Sequence, residues 1–397
     1  MRIGLRIVGI MAISLIHLMV SAQPKLEFQI KKPKEFEERQ LGSEKMADKK
    51  FTPPRHFFQN MYTHYNYYFN AKNRLQEIIT SAKIQHREDY TKLLPFYNYT
   101  FDITSKSTEI DSVLQKCTAG ILLHDLRNDW IDNLYLLLGR AYLLRKDYDS
   151  ASMTFQYINY SYSPKEKDGY DIAIGSNSGG GNAFSIATKE TTNFYKKLVE
   201  LPPSRNESFI WQIRTYTEKE EYIDAASLIT TLRNDPNFPD RLKAALAEVE
   251  SYNYYKQGIY DSSAQYLFKA LKVAESNTEK SRWYYLLGQM CQLTGQSEYA
   301  TTYFAKCAKI TVDPVMEVYA RLASVRLRKN DDPAIVQQNV DEIVKMAKKE
   351  KYAFYRDIIY YAASLMELER SNYEKADGYL KKSIKLRIIY INPFRLL

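Results

Sequence analysis

Cysteine is scarce in this chain of 397 residues: Cys117, Cys291 and Cys307 are too few for a disulfide scaffold, even in an oxidising compartment. The five histidines, His17, His56, His64, His86 and His124, show no HExxH pair and no spacing with cysteine that would build a metal site. No GxSxG nucleophile elbow occurs, and the run Gly179-Gly180-Gly181 lacks the preceding strand and the Gly-Lys-Ser/Thr ending of a phosphate loop. His124 beside Asp125 is no fragment of a triad, because adjacent residues on a helix point apart; it reads as a surface histidine near a loop. Asp235, Asp240, Asp331 and Asp332 lie in Pro/Asn-rich turns and are expected to cap helices at Pro236 and Pro333. No catalytic, cofactor or metal site is expected, and the protein reads as a non-enzyme.

Other absences narrow the class further. Strand signals are nearly missing, which points to an all-α fold. A net charge of +9 is mild for this length, and no dense basic run with interleaved aromatics occurs, so nucleic-acid binding is not indicated. Lys381, Lys382, Lys385 and Arg387 come closest, and a solvated helix face accounts for them. Long apolar runs are missing too: Ile7 to Val20 is short for a membrane span. With Arg2 and Arg6 before it and Val20-Ser21-Ala22 after it, residues 1–22 read as an export signal, with an uncleaved anchor as the alternative. No cysteine follows to accept a lipid. An exported, periplasmic protein is expected, with outer-membrane association indirect.

What the chain does contain is a repeat. Tyr135, Leu138, Gly139, Tyr142, Ala151 and Phe155 recur in the same spacing as Tyr284, Leu287, Gly288, Cys291, Ala300 and Phe304. The small anchor residue appears at Ala151, Ala225, Ser263, Ala300 and Ala376, in steps of 74, 38, 37 and 76 residues. The long steps are close to twice the short ones, so a degenerate repeat is expected around Thr188 and another around Val340. A unit of this length fits two helices and two turns. In the first helix Leu138 and Tyr142 share a face, and Gly139 lets a neighbour approach; in the second, Ala151 and Phe155 are again i and i+4. Cys291 and Cys307 take core positions and read as small buried residues, a bridge between them being the alternative.

The copies at 135–155 and 284–304, with fair copies at 209–229 and 252–271 and the second-helix remnant at 371–384, resemble the tetratricopeptide repeat. The fold expected is therefore an all-α, tetratricopeptide-type helix-hairpin solenoid, a right-handed superhelix of roughly eight to nine hairpins. Residues 23–56, rich in Lys, Glu and Gln, read as a charged flexible tether. Residues 57–397 read as the solenoid, with a disordered insertion at about 161–185 and helices beginning near His56. The ending RIIYINPFRLL carries no polar capping helix and reads as a truncated array.

Many of the 34 tyrosines fill repeat anchor positions. Tyr252, Tyr255 and Tyr285 fall one residue off the core stripe, an offset that in tetratricopeptide folds faces the concave groove. With Arg140, Arg214, Lys256, Arg282 and Gln289 on comparable faces, the resemblance implies an aromatic and basic groove for an acidic protein segment; ordinary solvated surface is the alternative. The stretch 111–158, together with 65–78, resembles the SprE/PorW family of Bacteroidetes tetratricopeptide envelope proteins, which belong to gliding motility and the type IX secretion system. That resemblance implies a scaffold with protein partners in secretion and motility. A generic periplasmic adaptor and a glycan-binding uptake protein are the alternatives, the last requiring exposed tryptophans.

Overall fold

The computed structural model describes residues 38, 40–163, 185–190, 203–274, 276–328 and 333–389. Among these residues every regular element is helical. The signal segment, Asp331, Asp332, the triple glycine and the chain's final residues lie outside the described set, as does most of the insertion expected at 161–185.

The helices are α1 (Gly42–Ala47), α2 (Pro53–Tyr62), α3 (Phe69–Gln85), α4 (Phe101–Thr104), α5 (Glu109–Leu123), α6 (Ile131–Leu144), α7 (Tyr148–Ser161), α8 (Ser204–Glu218) and α9 (Tyr222–Arg233). They continue with α10 (Lys243–Lys256), α11 (Tyr260–Ala270), α12 (Asn277–Leu293), α13 (Ser297–Ile310), α14 (Pro314–Leu327), α15 (Pro333–Ala347), α16 (Arg356–Glu369) and α17 (Tyr373–Ile389). A single π-helical segment, Thr63–Tyr68, joins α2 to α3. From α6 onward, successive helices pair as hairpins that stack on one another, a tetratricopeptide-type solenoid.

The repeat residues do the packing their spacing implies. A Cβ on Gly139 would stand 2.6 Å from the Phe155 ring, and one on Gly288 would stand 2.8 Å from the Phe304 ring, so each phenylalanine fills the space a side chain would need. Leu138, Ala151, Phe155, Ala225, Leu287, Ala300, Phe304 and Ala376 are all buried, and Tyr142 packs half-buried against the same core. Where the glycine is replaced, serine serves twice. Ser251 Oγ donates to the Ser263 carbonyl at 2.7 Å, and Ser364 Oγ to the Ala376 carbonyl at 2.9 Å, so the close crossing becomes a buried hydrogen bond. The expected repeat around Val340 is present as α14 and α15, with Val340 fully buried. Cys117, Cys291 and Cys307 are free and buried, and burial pushes all three thiols up.

Three expectations are corrected. Residues 40–52 are no free tether: Leu41 is buried, Ser43 Oγ donates to the Leu122 carbonyl at 2.9 Å, and Arg127 donates to the carbonyls of Met46 and Lys49. Residues 185–190 are not helical, because Asp235 captures the amides of Ile186 and Ala187, and Asn206 that of Thr188. Asp235 therefore ties a neighbouring segment while its Oδ1 also accepts from the Asn237 amide at 2.8 Å, in a turn where no helix begins at Pro236, and Asp240 opens a 3₁₀ turn and pairs with Lys243.

Candidate functional site

The residue immediately after the glycine position of each first helix points the same way, and four of these make a row: Arg140 on α6, Arg214 on α8, Tyr252 on α10 and Gln289 on α12. Arg282, Tyr285 and Gln289 follow one another at three and four residues on α12, and Tyr252 and Tyr255 at three on α10, so each helix offers a single stripe to the inner face.

That face is covered by the chain itself. Between α3 and α4, residues 86–100 form no regular helix. Pro95 denies a helical hydrogen bond and disfavours helical backbone at Leu94. The segment crosses from the start of α14 back over α12 and α10 to α8. Tyr90 Oη donates to the Asp313 carboxylate at 2.7 Å, and Tyr285 Oη donates to the Tyr90 carbonyl at 2.8 Å. Gln289 brackets the backbone: its Oε1 accepts from the Leu94 amide at 3.0 Å, and its Nε2 donates to the Lys92 carbonyl at 2.6 Å. Tyr255 Oη donates to the Leu94 carbonyl at 2.8 Å. Arg282, 3% exposed, pairs with Glu88 and donates to the carbonyls of Pro95 and Phe96. Leu94 and Phe96 are buried in the same core cluster as Trp283 and Leu287, and the Phe96 ring lies 5.1 Å from that of Tyr252.

At the α8 end, aromatic rings replace carboxylates around a cation. The Arg214 guanidinium lies 3.9 Å from the Tyr97 ring and 5.2 Å from that of Phe101, and it donates to Tyr99 Oη at 2.8 Å. Arg140 stacks 4.4 Å over Trp211, which is also 5.5 Å from Arg214. Tyr97 Oη, Arg214 Nε and Arg140 Nε are buried without a hydrogen-bond partner. Lys256 lies off this row and pairs at 3.8 Å with Glu218, which also accepts from Tyr252. Burial raises the phenols of Tyr90, Tyr97, Tyr252 and Tyr285, and pushes Tyr255 up to about 12, so all of them remain donors across the neutral range.

Six of the eight side chains expected on the groove, Arg214, Tyr252, Tyr255, Arg282, Tyr285 and Gln289, thus meet at residues 88–99; Arg140 and Lys256 stand at the margin. The expectation of an open face is corrected, since five of the six are buried beneath the strap. Residues 88–99 were missed by sequence reasoning, although the cluster Leu93-Leu94-Pro95-Phe96-Tyr97 in an aperiodic stretch was a usable sign of a buried loop. No group of three or more His, Cys, Asp or Glu is placed to hold a metal among the described residues, and no described helix is long and apolar enough to cross a membrane. His124 is half-buried against Gln59 and Tyr67, while Asp125 belongs to Arg55 and Arg127. Trp283 is buried, Trp130 stacks 3.9 Å from His64 and Trp211 lies between the two arginines, so the described tryptophans form no exposed sugar platform.

No family model matches this chain, and no curated protein matches it. Among solved structures, YrrB, described as a tetratricopeptide protein with an unusual peptide-binding site, is 17% identical with a TM-score of 0.34, covering 51% of this chain and 96% of that one. The apo form of the quorum sensor NprR from B. thuringiensis is 14% identical with a TM-score of 0.38, covering 86% and 90%. At such scores neither likeness adds to what the hairpins themselves establish.

Proposed function

We propose that this chain is a non-catalytic protein-interaction scaffold of the cell envelope, exported to the periplasm in association with the outer membrane, and a component of a type IX secretion and gliding-motility machine. One observation carries the scaffold reading: the inner face grips a non-helical polypeptide segment by its main chain, with Gln289 taking both an amide and a carbonyl of that segment. Such contacts read backbone more than sequence, which is the chemistry of a peptide-binding face. The envelope setting is supported by the export signal read in residues 1–22, and the secretion setting by the resemblance carried by residues 65–78 and 111–158.

The test is to crosslink the tagged protein in its native envelope and identify by mass spectrometry both its partners and its N-terminal peptide. Secretion or motility components, with a chain starting near Gln23, are the expected result. A different periplasmic client would make it a generic adaptor. Sugar-uptake proteins would support a glycan-binding role, and recovery from a cytoplasmic pool would remove the envelope setting.

A further inference from the structure

We propose that residues 88–99 are a resident surrogate for a partner, and that the face formed by α8, α10 and α12 binds in trans a non-helical acidic and aromatic peptide that replaces this strap. The inference deepens the scaffold reading and rests on it. Three observations carry it.

First, most of the polar grip falls on the strap's main chain: the carbonyls of Tyr90, Lys92, Leu94, Pro95 and Phe96 and the amide of Leu94. Any peptide that follows the strap's non-helical path, with its turn at Asp89–Lys92, presents those groups, so another chain can satisfy the same donors and acceptors. Second, the side-chain requirements are few. A carboxylate meets Arg282 at the position of Glu88, and large apolar groups fill the buried sites six and eight residues later, those of Leu94 and Phe96. Third, the resident fit is incomplete where it meets α8. Tyr97 Oη and Arg214 Nε are buried and unpartnered, and Arg214 is held by rings with a phenol hydroxyl as its acceptor. Leaving a buried donor unsatisfied is costly, and a carboxylate at the position of Tyr97 supplies the missing acceptor. The partner that fits is therefore a non-helical segment with an acidic residue at its start, leucine and phenylalanine in the middle, and a second acidic residue next to the phenylalanine.

Because the strap is joined to the solenoid at both ends, it competes at a high effective concentration, and a free peptide must overcome that advantage. The probe is a fluorescently labelled peptide with the sequence of residues 86–101, followed by anisotropy against the full-length chain. Against a chain carrying Leu94→Ala and Phe96→Ala, which loosens the strap and leaves the face intact, binding is expected to be at least tenfold tighter than against the unaltered chain. The same peptide carrying Tyr97→Glu should bind at least tenfold tighter again. Equal binding to both chains overturns the proposal, and so does loss of the helical circular-dichroism signal in the loosened chain, which would make the strap an obligatory part of the core. Hydrogen exchange on the unaltered chain provides an independent check. Strap amides exchanging at lower denaturant than those of α10 and α12 support replacement; exchange of all three together overturns it. Failure here leaves the envelope crosslinking result untouched, and failure of that crosslinking leaves peptide replacement untouched.

Discussion

Seven residues after the glycine position, in five hairpins, the backbone turns left-handed: Lys146 at φ 65°, Glu220 at 63°, Gly258 at 75°, Gly295 at 76° and Ser371 at 59°. The steps between them repeat those of the small anchors, so the turn belongs to the repeat as firmly as the core does. Each such residue ends a first helix, where a left-handed position lets the following amide return to the helix carbonyls; the Glu221 amide reaches the Tyr216 carbonyl at 2.9 Å. Side chains other than glycine are strained there. Glu220 is exposed, so Glu220→Gly should stabilise the fold by about 0.5 to 1 kcal/mol, the relief of strain outweighing the freer unfolded chain. A urea midpoint that falls instead would mean Glu220 contributes a contact worth more than its strain. Gly288 carries the opposite constraint. Phe304 is 1% exposed and cannot retreat, so Gly288→Val should cost about 3 kcal/mol by overpacking, read as a lower midpoint with an unchanged slope.

At the scale of elements, the strap has the most to lose from a single change. The Arg282 fork serves one carboxylate and two carbonyls, a set that neither lysine nor an apolar residue can replace. Arg282→Met should cost about 3 kcal/mol by stranding those carbonyls and leaving Glu88 only His86, 3.6 Å away, and chemical denaturation would measure it. The strap also makes an alkaline prediction. A phenol in the unfolded chain titrates near 10, while burial holds Tyr255 at about 12 and raises Tyr90, Tyr252 and Tyr285. A group raised in the folded state stabilises fully below its unfolded value and loses that contribution as the pH climbs toward its folded value. Stability should be flat from pH 7 to 9 and fall between 10 and 12; a melting temperature unchanged at pH 11 would show these phenols to be solvated.

Both the legibility of this fold and its gaps follow from distance along the chain. The hairpins α6 to α13 could be read because their contacts lie within one repeat, where glycine, alanine and phenylalanine fall at fixed offsets. The groove row could be read for the same reason, as an offset of one residue from that pattern. Nothing local in residues 86–100 names a partner, because Leu94 meets Gln289 across 195 positions. The segment at 185–190 was misread because the 74-residue step from Ala151 to Ala225 asked for a further repeat near Thr188, while the Asp235 that accepts its amides lies 48 and 49 positions later. Local sequence reveals that a turn carboxylate needs donors, not which donors it finds.

At the scale of the molecule, the strap changes how the solenoid holds together. In a repeat array each unit touches only its neighbours, so stability is nearly a sum over adjacent pairs and the ends can unfold alone. Residues 88–99 break that rule by binding α8, α10, α12 and Asp313 at the N-cap of α14 at once, and by joining them to α3 and α4. Burial of Leu94 and Phe96 supplies about 1.5 to 3 kcal/mol for each side chain, and this adds to the direct packing between the neighbouring hairpins of α10 and α12. The unaltered chain should therefore lose helical signal and tryptophan fluorescence at one urea concentration, since Trp130, Trp211 and Trp283 are spread along the array. In the chain carrying Leu94→Ala and Phe96→Ala the two signals should separate, with the hairpins beyond α10 melting apart from those before it. If both signals still move together in that variant, nearest-neighbour packing alone makes the array cooperative, and the strap is a guest on the inner face and not its clasp.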